Sequence, residues 1–177
     1  MSQGLAGALA HRPRVVLVGP PGAGKSTVGA ELAKRWDTEL RDTDSDIESA
    51  LGKPVSDVFV EDGETRFREL ERAAVATALA EHAGVLSLGG GAVLAESTRA
   101  LLGAHRVVFL DVGLAEAAKR VGLGVTRPLL LGNVRGQLKA LLDARRPLYA
   151  EVAGRTVVTD QLEVEAVADA IETWLDE

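Results

Sequence analysis

The stretch Gly19 to Thr27, GPPGAGKST, constrains the fold more than any other part of the chain. It fits the pattern G-x-x-x-x-G-K-[ST] and lies between a short apolar run, Arg14 to Val18 (RVVLV), and a segment of helical period, Lys25 to Arg35. In that context the pattern acts as a cradle for phosphate. Gly19, Gly22 and Gly24 let the backbone curl so that its amides converge, and the N-terminus of the following helix adds partial positive charge. Lys25 then reaches the terminal phosphates, and the Ser26 hydroxyl suits a Mg²⁺ ion that keeps several waters. The bland alternative is a glycine-rich turn that only caps a helix. It requires two glycines, a lysine and a hydroxyl to fall at fixed positions by chance. The loop specifies a nucleotide and leaves the reaction open.

Four further apolar runs alternate with longer helical segments: Thr38 to Arg41 (TELR), Val85 to Leu88 (VLSL), Arg106 to Leu110 (RVVFL) and Thr156 to Thr159 (TVVT). This alternation predicts an α/β domain on a parallel sheet. Val28, Leu32 and Ala33 share one side of the helix after the loop, and Glu64 to Ala80 carries Phe67, Leu70, Ala74 and Leu79 at helical spacing. Helices are also expected over Asp46 to Leu51, Leu114 to Arg120 and Asn133 to Leu148. Val164, Val167, Ala168, Ile171 and Leu175 predict a closing helix. Val121 to Asn133 (VGLGVTRPLLLGN) has three glycines, a proline and no period, and is expected to be a mobile loop. No linker or repeat divides the chain. The expectation is one domain over residues 14–177, preceded by a tail over residues 1–13.

Composition narrows the function. Twenty basic against 26 acidic side chains, net −6, with 3% aromatic residues, disfavours nucleic acid as a partner. The lack of cysteine excludes disulfides, thiol catalysis and Cys-based zinc sites. No apolar run reaches the ~18 residues of a membrane span, and MSQGLAGALAHRP lacks the features of a secretory signal, so a cytoplasmic, monomeric protein is expected. Glycine is in excess, 19 of 177 residues against a typical ~7%, which points to backbone held close to a ligand or in tight turns.

Two more segments carry candidate chemistry. Asp42-Thr43-Asp44 follows the second strand, at the sheet edge where ligands collect. In extended backbone both carboxylates project to one side, one toward a metal and the other toward a substrate hydroxyl. The alternative is that Asp44 or Ser45 caps the following helix. Gly89-Gly90-Gly91 follows the third strand on the same edge, either as backbone that a ligand approaches closely or as a flexible connector. Asp111 ends an apolar strand, as magnesium-binding aspartates do, but a capping role for the helix at Leu114 is the preferred reading. No Asn-Lys-x-Asp guanine signature occurs.

The chain therefore carries, in order, GPPGAGKST, DTD followed by Ile47-Glu48, FRELE, LGGGAV, TRPLL and ARRPLY. Over about Val15 to Leu175 it resembles the shikimate kinase family. The resemblance implies a three-layer αβα phosphate-loop fold of the nucleoside-monophosphate-kinase type, with a five-stranded parallel sheet. It implies transfer of the ATP γ-phosphoryl group to the 3-hydroxyl of shikimate, an anionic trihydroxy cyclohexene acid. By resemblance, Gly22, Ala23, Gly24, Lys25, Ser26 and Thr27 bind ATP, Arg120 stacks on adenine, and Ser26 and Asp42 hold Mg²⁺. Asp44 takes the ring hydroxyls and orients the nucleophile, Gly89, Gly90 and Gly91 face the ring, and Arg68 and Arg145 clamp the carboxylate. The guanidinium fork suits a planar carboxylate. Arg146 stands beside Arg145 as the alternative. The resemblance makes about residues 121–133 a lid, and Arg127 matches the lid arginine that stabilises the transferring phosphoryl group. Two rivals remain: a related small-metabolite kinase such as one for gluconate, and a non-catalytic ATP-binding regulator. Asp44, Arg68 and the triplet argue against the first, and Lys25, Asp42, Asp44 and Arg127 against the second.

Overall fold

The computed structural model describes residues 11–122 and 133–177. Of the expected tail only residues 11–13 are described, and of the expected lid only 121, 122 and 133; Arg127 lies outside the described residues.

Five strands form one parallel sheet: β1 (Val15–Val18), β2 (Leu40–Asp42), β3 (Val85–Ser87), β4 (Val107–Asp111) and β5 (Arg155–Val158), in the order β2-β3-β1-β4-β5. The described helices are α1 (Lys25–Arg35), α2 (Thr43–Leu51), α3 (Val55–Glu81), α4 (Glu96–Leu102), α5 (Leu114–Gly122), α6 (Val134–Val152) and α7 (Val164–Leu175), with a 3₁₀ turn at Ala92–Leu94. All four residues of β1 are buried, as expected of a central parallel strand covered on both faces. Val15 and Leu17 pack with Val28, Leu32, Val167 and Ile171 of α1 and α7. Val16 and Val18 pack on the other face with Val75, Leu79 and Tyr149 of α3 and α6. A smaller cluster, Ile47, Val58 and Phe67, joins α2 to α3. Among the described residues, no helix is long and apolar enough to cross a membrane.

Each expected strand forms, shifted by one or two residues, and the closing helix has the expected bounds. The departures lie at helix ends. α2 begins at Thr43, three residues before the expected Asp46, because Asp42 caps it: Asp42 Oδ1 accepts from the amides of Asp44 at 2.8 Å and Ser45 at 3.2 Å. Neither Asp44 nor Ser45 is the cap, and Asp44 sits in the first helical turn, outside extended backbone. The helix expected from Glu64 is preceded by another from Val55, the two joined at Gly63, whose backbone is non-helical at φ 83° and ψ 163°. α6 continues past Pro147 to Val152. The preferred capping role for Asp111 is replaced as well. Its carboxylate accepts from Arg146 Nε at 3.2 Å, while the amide entering α5, Gly113 N–H, donates to Asp160 at 2.7 Å.

Candidate active site

In a parallel sheet all strands end at one edge, and here the chain runs from β1 outward past β3 to β2 but from β3 back across β1 to β4, so the neighbouring strands β1 and β3 send it in opposite directions. A crevice opens at such a reversal. The phosphate loop follows β1 and Gly89-Gly90-Gly91 follows β3, its neighbour. A methyl group placed on Gly90 would lie 3.3 Å from Pro21 Cδ, so the two glycine loops abut. A cavity of about 370 Å³ lies there, lined by Gly22, Gly24, Lys25, Ser26 and Thr27 on one side and Asp42, Asp44, Gly89 and Gly90 on the other.

The loop is held from behind. Lys25 Nζ donates to the carbonyls of Gly19 at 2.7 Å and Pro20 at 3.1 Å, which lays the ammonium along the loop. Ala23 differs from its neighbours: its methyl is buried, and its N–H donates to Pro20 O at 3.2 Å. Arg120 grips the loop through Gly22 O at 2.8 Å and reaches Thr159 O at 3.2 Å, with Glu116 pairing its Nε at 3.1 Å. The buried Thr159 hydroxyl lies 3.2 Å from the carbonyls of both Ala23 and Asp111, which share its one proton. Arg120 therefore spans the phosphate loop and the segment after β5.

Ser26 and Asp42 meet in the cavity as hard oxygen donors. That donor set fits Mg²⁺, which takes few protein ligands and completes its shell with water and phosphate. The Asp42 oxygen that caps α2 is occupied by two amides.

The triplet is crowded by charged groups. A methyl on Gly89 would sit 2.5 Å from Asp44 Oδ1 and 3.1 Å from Glu71 Oε2, and one on Gly91 would fall on the Arg68 guanidinium, 2.6 Å from its Cζ. Arg145 Nη1 lies 3.7 Å from the corresponding point on Gly90. Asp44, Arg68 and Arg145 therefore come together around the three glycines. Arg68 is further set by Glu71 at 2.8 Å and by the rings of Phe59 and Phe67, with centroids 5.5 and 5.3 Å away. Arg146 is turned elsewhere, onto Asp111 and the carbonyl of Val112 at 2.9 Å. Of the two adjacent arginines, Arg145 is the one at the triplet.

Sequence reasoning gave Glu71 no role, although it lies in the quoted FRELE stretch. It is 3% exposed, and burial pushes its carboxyl up, against the pull of Arg68 and with a further push from Asp44. A signal was available: the buried stripe Phe67, Glu71, Val75 and Ala78 is apolar except for this one acid. Tyr149 was missed in the same way. It ends the buried stripe Leu138, Leu142, Arg145 and Tyr149, whose period also separates Arg145 from Arg146.

Comparison with known proteins is consistent across methods. The shikimate kinase family model matches residues 21–176. A shikimate kinase of Thermobifida fusca is 58% identical over 163 residues, 92% of this chain and 95% of the relative. The structure of Acinetobacter baumannii shikimate kinase in complex with shikimate superposes with a TM-score of 0.88 at 35% identity, covering 96% of each chain. A gluconokinase from Sinorhizobium meliloti shares the fold alone, with a TM-score of 0.58 at 20% identity over 95% of this chain and 93% of the other.

Proposed function

Because the chain belongs to the shikimate kinase family, we propose a division of labour in which the phosphate loop holds ATP, Asp44 and the glycine triplet hold the acceptor hydroxyls, and Arg68 and Arg145 hold the acceptor carboxylate. The enzyme is an ATP-dependent kinase that phosphorylates the 3-hydroxyl of shikimate. The hydroxyl oxygen bonds to the γ-phosphorus and releases its proton to solvent, the bond from that phosphorus to the β-γ bridging oxygen breaks, and ADP leaves. Such chemistry depends on positioning and electrostatics.

In this reading the amides of Gly22, Gly24, Lys25, Ser26 and Thr27 bind phosphate oxygens at the N-terminus of α1. Lys25 exchanges the carbonyls of Gly19 and Pro20 for the β- and γ-phosphates. Ser26 and Asp42 hold Mg²⁺, which when bound offsets charge on the phosphates. Asp44 accepts a hydrogen bond from the attacking hydroxyl and directs its lone pair at phosphorus. Arg120 packs a guanidinium face against adenine. Arg127 stabilises the transferring group, an assignment that rests on the Thr126-Arg127-Pro128 resemblance. The cytoplasm is the setting we infer.

The observation that carries the reading is the meeting, at one sheet edge, of a phosphate cradle with a glycine floor bordered by Asp44, Arg68 and Arg145. An anionic acceptor needs those two cations on a chain whose net charge is −6. A coupled assay of ADP release tests it. Turnover with Mg-ATP should depend on shikimate and not on gluconate; ADP release indifferent to shikimate would refute the assignment.

A further inference from the structure

Beneath the glycine triplet lies a side chain to which the chemistry above gives no part. Tyr149 is fully buried, and its hydroxyl donates to the Gly90 carbonyl at 2.5 Å. Its ring packs on Phe109 with centroids 5.0 Å apart. It follows Arg145 by four residues on α6, so both leave the same face of that helix, and Arg145 Nη1 lies 3.7 Å from where a Cβ would stand on Gly90, the residue whose carbonyl the phenol binds. Burial pushes the phenol up to about 12, so it keeps its proton throughout neutral pH.

Three consecutive glycines have more backbone freedom than any other tripeptide, so their order must be imposed from outside. At the first, Gly89 N–H donates to Thr43 Oγ1 at 3.2 Å and Gly89 O accepts from Ala92 N–H at 3.0 Å. At the last, Gly91 O accepts from Leu94 N–H at 3.1 Å. The middle peptide is held through the Gly90 carbonyl by Tyr149. Because a peptide unit is planar, fixing that carbonyl also fixes where the Gly91 N–H points.

We propose that Tyr149 is a positioning residue for the acceptor substrate, holding the Gly90–Gly91 peptide and the Arg145 guanidinium in one fixed relation. This rests on the reading that the triplet and Arg145 meet shikimate. The hydrogen bonds described for the phosphate loop run through Lys25, Arg120 and Thr159 rather than Tyr149, so the effect of losing the hydroxyl should fall on one substrate.

The test is Tyr149→Phe in the full chain, with shikimate and ATP varied separately. The expected result is a shikimate KM raised about 5- to 10-fold, the size of one lost hydrogen bond, with the ATP KM unchanged within about twofold. Hydrogen exchange at the amides of residues 89–92 in the unliganded variant should accelerate while that of the phosphate loop does not. Phe109→Leu keeps the hydroxyl and loosens the ring packing. It should lower thermal stability and leave the shikimate KM unchanged, which separates the hydroxyl from mere core packing. If Arg145→Ala raises the shikimate KM but Tyr149→Phe does not, or if Tyr149→Phe moves both KM values together, the proposal is overturned and the substrate reading stands. If neither variant changes the shikimate KM, the substrate reading fails and the proposal with it.

Discussion

The two glycine loops at the sheet edge use the same residue for different physical reasons. In the phosphate loop, Gly22 and Gly24 have φ of 81° and 90°, a region that side-chained residues enter only at a cost. A methyl on Gly24 would have space, its nearest neighbour being Arg120 Nη1 at 4.0 Å. In the triplet, Gly91 has an ordinary φ of −98°, and what excludes a side chain is the guanidinium occupying the place of its Cβ. Gly22 and Gly24 are needed for their dihedral angles, which let the loop's backbone curl. Gly91 is needed for room, because a charged group fills the space a side chain would take. A glycine that answers to dihedral angle should be costly to fold without. One that answers to space should be costly only to the site it clears.

The largest effect that separates the two belongs to Gly91→Ala. The new methyl displaces the flexible end of Arg68, so folding should be little changed while the proposed carboxylate clamp loses one arm. Loss of one charged hydrogen-bonding partner, about 1.5–3 kcal/mol, predicts a shikimate kcat/KM lower by about 10- to 100-fold with the ATP KM unchanged. Steady-state kinetics and a urea melt check both halves. Gly24→Ala should behave in the opposite sense. It should lose about 1–2 kcal/mol of stability to backbone strain and raise the ATP KM more than the shikimate KM. Gly52 supplies the reference, since it follows α2 with φ 68° and nothing within 4 Å of its Cβ direction. Gly52→Ala should lose about 1 kcal/mol in a urea melt, with neither KM altered. Asn at the same position should recover part of that, because Asn tolerates the left-handed region. A change in either KM on Gly52 substitution would blur the distinction between fold glycines and site glycines.

These differences also account for what could be read in advance. The buried strands were legible because parallel strands covered on both faces are continuous apolar runs, as VVLV is in β1. β2 departs furthest from its expected bounds, starting two residues late, because it lies at the edge of the sheet and all three of its residues are half-buried. The phosphate loop was legible because its dihedral requirement leaves glycines at fixed spacing. The triplet was legible as a position but not as a reason, since crowding by Asp44, Glu71 and Arg68 is a tertiary fact. Asp42 as the cap of α2 was hidden by competition, because Asp42, Asp44 and Ser45 are all good capping residues and only the bend after β2 decides between them. Glu71 and Tyr149 were visible as exceptions or endpoints of buried stripes.

The smallest expected effect tests how charge is carried beneath the triplet. Glu71 has a carboxyl raised above its ordinary value of 4.5, chiefly by burial and despite the neighbouring Arg68. A carboxyl raised in the folded state binds its proton more tightly there than in the unfolded chain. Its contribution to stability is therefore complete below the unfolded value and is lost as pH rises through the folded one. Gln reproduces the neutral form and does not titrate. Glu71→Gln should change stability by less than about 1 kcal/mol near neutral pH, since a carboxyl whose surroundings raise it, Arg68 included, gains nothing net from being ionised there. Relative to the parent, its stability should improve as pH rises from 4 to 8, which a series of thermal melts will read. The same substitution leaves Arg68 with a weaker partner, so the shikimate KM should rise while the ATP KM stays fixed. A stability difference that moves the other way with pH would mean that the Arg68–Glu71 pairing outweighs burial. The floor of the triplet would then be a fixed ion pair, and its glycines would be making room for permanent charge rather than for a group that shares its proton with solvent.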